Sequence, residues 1–152
     1  MVSPVALREG NNQRFSFNLE GNVGPNSPNK IDDVQLVQFG YFAKGKAPDT
    51  SPALKALCAK VVLGAPYTGA PNDPLTLAIK AHQAERGGTQ DGHVSVMPPG
   101  TSLSYDGKHS YMILALVNNI LDITKDDFPR IDKHPSCPQI LKQRVRMVSI
   151  FE

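Results

Sequence analysis

The sequence predicts an α+β domain, and three observations carry that reading. Several segments repeat apolar residues at the i, i+3, i+4, i+7 spacing of a helix, two short ones alternate as strands do, and the last eight residues before the end are rich in Val and Ile. Thirteen Pro and twelve Gly punctuate the chain, so short elements joined by long loops are expected. Residues 1 to 13 show little pattern and read as a flexible N-terminal arm. Residues 14 to 152 read as one domain.

Each element has a local reason. Arg14 to Leu19 alternates strictly, placing Phe15, Phe17 and Leu19 on one strand face. A Gly/Asn/Pro/Ser-rich loop follows. Asp32 or Asp33 is the expected N-cap of a first helix over 32–43, where acidic groups also favour the positive end of the helix dipole. A second helix over 51–63 starts at Ser51-Pro52 and buries Leu54, Leu57, Cys58 and Val61. A third over 73–87 starts at Asp73-Pro74, carries Leu75, Ala78, Ile79 and His82 on one face, and stops at Gly87-Gly88. His93 to Met97 reads as a short strand after the Asp91-Gly92 turn. Residues 110 to 121 are apolar nearly all round and predict a central buried helix. Arg144 to Phe151 reads as a closing strand. The expected architecture is a helical bundle with one small sheet gathering 14–19, 93–97 and 144–151.

Composition excludes several classes. Sixteen basic against fourteen acidic side chains give a formal charge of +2, far from the basic excess of an electrostatic nucleic-acid binder. The longest apolar run, Tyr111 to Val117, is too short to span a membrane. The opening residues lack a basic stretch followed by an apolar one, so no secretory signal is expected. The default location is cytoplasmic, with delivery to the envelope requiring a non-classical route.

Catalytic and metal chemistry find little support. Cys58 and Cys137 follow no metal-ligand spacing, and they read either as buried thiols or as one disulfide. His82, His93, His109 and His134 fall into no paired ligand spacing. A composite zinc site from His93, His109, His134 and Cys137 has no two ligands on one helical turn. Asp132, His134 and Cys137 crowd one Pro-rich loop, whereas a working thiol–histidine pair is usually assembled from distant segments. No enzyme activity, metal or cofactor is expected.

The most specific signal is an ordered set of short patterns. Val23-Gly24 is followed by Asn29, then by Asp33-Val34 and Val37-Gln38. Ala78-Ile79 precedes His82-Gln83, and Asp91-Gly92-His93-Val94 follows after a Gly-rich turn. In order and spacing this resembles the peptidoglycan-binding domain of bacterial and phage wall-active proteins. The resemblance covers residues 23 to 96, with 97–152 an extension packed on that core. It implies a peptidoglycan-binding-like helical bundle and a non-catalytic module that recognises cell wall. His82 departs from the pattern by standing where the family carries an aromatic, most often Phe. The other reading is a protein-interaction module of a contractile secretion system or phage particle that reuses the same fold.

Without Trp, and with four scattered Tyr, the chain offers no platform for sugar rings. The peptide stem of peptidoglycan is therefore the expected ligand, in preference to its glycan. Loops carry function more often than elements, and two loops flank the third helix. The loop from Gly64 to Asp73 is the expected site. Tyr67 is its contact residue, Asn72 its hydrogen-bonding partner, and the helix start at Asp73 offers backbone N–H groups to a carboxylate. Gln83, near a helix end, is expected to satisfy backbone groups of the following loop.

Overall fold

The computed structural model describes residues 1–9, 11–101 and 111–148. Among them the order is β1 (Ser3–Glu9), β2 (Asn12–Asn18), α1 (Ile31–Lys46), α2 (Pro52–Ala59), α3 (Pro74–Glu85), α4 (Met112–Thr124) and α5 (Gln139–Val148). Two 3-10 turns, Lys125–Asp127 and Ile131–Lys133, join α4 to α5. The fold class is α+β, as the sequence predicts. No helix among the described residues is long and apolar enough to cross a membrane.

The small sheet differs from expectation. It is the antiparallel hairpin β1–β2, with Val5 opposite Ser16 and Leu7 opposite Arg14. Residues 3–9 are therefore a strand and not a free arm. Val2 and Leu7 are buried, and the Val2 N–H donates to Asp32 Oδ2 at 2.6 Å, so burial and a buried hydrogen bond both hold this end. Residues 93–97 contribute only one bridge, Val23 to Val94. Beyond it, side-chain amides replace a partner strand. Asn22 Oδ1 accepts from Val96 N at 3.0 Å, and Asn18 both accepts from Met97 N and donates to Met97 O.

The expected closing strand is also overturned. Residues 139–148 form the helix α5, with Leu141 and Val145 buried one turn apart and polar residues between them. Residues 149–151 of that expected strand lie outside the described residues.

The predicted helices are present with shifted ends. The centre of the bundle is α1, because it packs against α2, α4 and α5. Every residue from Asp32 to Tyr41 is buried. Gly40 permits the close α1–α4 approach, since a Cβ there would stand 2.7 Å from Leu116 Cβ. A helix enclosed on all sides must satisfy its polar residues internally. Gln35 accepts from Leu141 N near the start of α5, and Gln38 accepts from Gly64 N and donates to Ala65 O. Asp32 and Asp33 are not N-caps but first-turn residues behind Lys30. Asp33 accepts from Glu20 N and Gly21 N, tying the loop after β2 to the helix.

Candidate functional site

A polar cleft lies where α3 ends. Pro74 opens that helix, and the Asp73 carboxylate caps it by accepting from Leu75 N at 2.8 Å. At the other end, Gly88 N bonds to Gln83 O and Gly87 N to Ala84 O, with Gly87 in the left-handed region at φ 74°. This paired arrangement satisfies the last carbonyls and turns the chain sharply away.

Gln83 sits on the last turn and clamps the returning loop. Its Oε1 accepts from Gly92 N at 2.9 Å. Its Nε2 donates to Asp91 Oδ1 at 2.8 Å and to His93 O at 3.1 Å. The sequence-based role for Gln83 is thus met by three bonds. Asp91 Oδ1 also accepts from His93 N, which closes the turn locally. Partial burial pushes the Asp91 carboxyl up, but the His93 N–H and the Gln83 amide outweigh it and hold the group below the ordinary carboxylate range.

The turn is braced from a second side. His93 Nε2 lies 2.6 Å from Pro25 O, and since a carbonyl oxygen only accepts, Nε2 carries the hydrogen. His93 Nδ1 faces Asp91 Oδ2 at 3.6 Å. A Cβ on Gly24 would stand 2.5 Å from both Gly92 O and His93 Cδ2, so only glycine fits between these backbones. Asn29 fixes Gly24 in turn, accepting from its N–H at 2.8 Å and donating to its carbonyl at 2.9 Å. The motif residues Val23, Gly24, Asn29, Gln83, Asp91 and Gly92 therefore form one bonded assembly.

Around this assembly opens a cleft of about 220 Å³. Arg86 and Asp91 give it one cation and one anion, and Thr89, Ser95 and Tyr111 add hydroxyls. Such a lining suits a small ligand that carries carboxylate, amide and ammonium groups together. Sequence reasoning missed Arg86, Thr89, Ser95 and Tyr111. The available signal was Arg86, three residues beyond Gln83 and so on the same face of the helix end.

The expected site residues are placed differently. Tyr67 is buried, with its hydroxyl 2.7 Å from Thr76 Oγ1, and burial pushes the phenol pKa above its ordinary value. That bond supplies a structural reason for a tyrosine in the loop. Tyr67 borders a separate cleft of about 290 Å³ with Val34, Gln35 and Pro66. Asn72 and Asp73 do not line that cleft. Asn72 is exposed, and the Asp73 carboxylate is engaged as the cap of α3.

The thiols and the remaining imidazoles are structural in their surroundings. Cys58 and Cys137 are free and buried, and burial pushes them up to about 11 and about 12. Both thiols are thereby kept protonated and poor as nucleophiles. Asp132 is held by Arg130 through two bonds of 2.8 and 2.9 Å, and His134 Nδ1 accepts from Ser136 N. The three residues of that loop form no relay. His82 is buried, with Nδ1 3.0 Å from the Tyr41 hydroxyl, and burial lowers it to about 3. Among the described residues no three acidic, His or Cys side chains are grouped to hold a metal. His109, part of the composite zinc candidate, lies outside them.

The chain matches no known family model, and comparisons with curated proteins and with solved structures give no significant match.

Proposed function

We propose that the protein is a non-catalytic recognition module that takes the peptide stem of peptidoglycan into the cleft at the end of α3. The observation that carries this reading is the convergence of Arg86, Asp91 and three hydroxyls around a turn already clamped by Gln83. Arg86 pairs with a stem carboxylate, and Asp91 receives an ammonium or amide N–H. Because the turn is bonded before any ligand arrives, little ordering accompanies binding. The lack of Trp favours stem over glycan on the same grounds of chemistry. A module with this role works in the cell envelope.

Co-sedimentation with insoluble sacculi at low salt tests it. The parent protein is expected in the pellet. Arg86→Gln should weaken binding by roughly ten- to a hundredfold, the size of one hydrogen bond to a charged group. Complete recovery of the parent protein in the supernatant would overturn the proposal.

A further inference from the structure

A second surface shares no residue with the α3 cleft. After α2 ends at Ala59, the chain runs Val61-Val62-Leu63 outside any helix before Gly64. Such connections are ordinarily polar, whereas here Val61 and Leu63 are half-buried against the core and Val62 stands outermost. Val62 is 65% exposed. With Phe42 of α1 and Cys58 of α2, this run walls a groove of about 510 Å³. Its charged lining is Lys46, the last residue of α1, and Lys55 of α2, and no carboxylate lines it. The Lys46 ammonium stands 5.2 Å over the Phe42 ring. Neither lysine takes part in an ion pair among the described residues.

We propose that this groove docks a short amphipathic segment of a partner protein, whose apolar side chains cover Val62 and Phe42 while its carboxylates meet Lys46 and Lys55. The cations stand on two different helices, α1 and α2. A chain with carboxylates on both flanks matches them, whereas an amphiphile with a single head group matches one. A second copy of this protein is disfavoured by symmetry. A two-fold contact sets the same patch against itself, and would bring lysine to lysine.

Fluorescence anisotropy with two labelled helical peptides tests the proposal. Both carry Leu at i, i+3, i+4 and i+7, and one is flanked by Glu, the other by Lys. The Glu peptide is expected to bind at least about tenfold tighter at low salt, with the difference shrinking as salt screens the pairs. The double variant Lys46→Glu/Lys55→Glu should reverse the preference. Val62→Asp, at an exposed position that circular dichroism can show to be folded, should weaken both peptides. Equal binding of the two peptides, or binding indifferent to these variants, overturns it. So does a dimer in size-exclusion chromatography with light scattering that Val62→Asp dissolves. Sedimentation with phosphatidylglycerol vesicles in the absence of Glu-peptide binding would assign the surface to a membrane and also overturn it. Sacculus binding is unaffected by any of these results, so the two proposals fail separately.

Discussion

His82 and Tyr41 show how one buried pair sets a pH response. Burial lowers His82 to about 3, so the folded protein keeps it neutral and hydrogen-bonded to the Tyr41 hydroxyl. In the unfolded chain the same imidazole protonates near its ordinary value of about 6.5. The folded value is depressed, so its stabilising contribution is complete above pH 6.5 and is lost progressively as pH falls toward 3. Asp33 acts in the opposite sense. Burial raises it to about 6, so the folded state binds that proton more tightly and gains stability as pH falls through 6 toward 4. Urea midpoints measured from pH 7 to pH 4.5 should separate the two. The double variant Tyr41→Phe/His82→Phe removes both partners together and leaves no orphaned polar group. Its stability should rise relative to the parent as pH is lowered, since only the Asp33 effect remains of the pair. An unchanged pH slope would contradict this assignment. Residues of this kind divide by range in how legible they are. Asp73 as a cap and Gln83 as a loop clamp can be read locally, because their partners lie within ten positions. Gln35, whose partner Leu141 is 106 positions away, cannot.

At the scale of elements, the existence of α1 to α4 was legible, that of α5 was not, and helix environment was not. The segment 110–121 looks like the central helix because it is apolar nearly all round. The centre is instead α1, whose Asp32, Asp33, Gln35 and Gln38 are buried against backbone groups from other segments. Polarity alone misleads where the fold supplies the partners. The Val and Ile content of Arg144 to Phe151 likewise suggests a strand, while the buried pair Leu141 and Val145 has helical spacing that begins before that window. Residues 1–13 hid a strand because Leu7 is the buried apolar residue within its described side chains and its partner is the next strand. The close contact of α1 with α4 gives a direct check. Gly40→Ala should lower stability by about 1–3 kcal/mol, the usual cost of overpacking, because the new methyl meets Leu116 Cβ. In a Leu116→Gly background, which removes that Cβ, the same substitution should cost less than half as much. Equal cost in both backgrounds, read from denaturant melts, would place the contact elsewhere.

For the whole molecule, one construction recurs. Amide side chains from buried helices hold the loops: Gln38 the 64–65 segment, Gln35 the start of α5, and Gln83 the 91–93 turn. The loops are thereby presented as fixed surfaces and not as tethers. The ordered motifs between residues 23 and 94 were legible as a set, and the structure gives them a shared physical basis around Gly24 and Gly92. The site itself was legible only in part. Asp91-Gly92 was read as a turn and the loop from Gly64 to Asp73 as the site, and Arg86, Ser95 and Tyr111 come from three further segments that converge only in the folded chain. The central claim is that a peptide stem enters this cleft. It is tested most directly by titrating isotope-labelled protein with a soluble stem peptide that carries no sugar, and following backbone amide shifts by NMR. Saturable shifts are expected, largest at Arg86, Thr89, Ser95 and Tyr111, with Gly64 to Tyr67 unmoved. No shift at millimolar peptide, or shifts gathered instead around Tyr67 and Asn72, would contradict it.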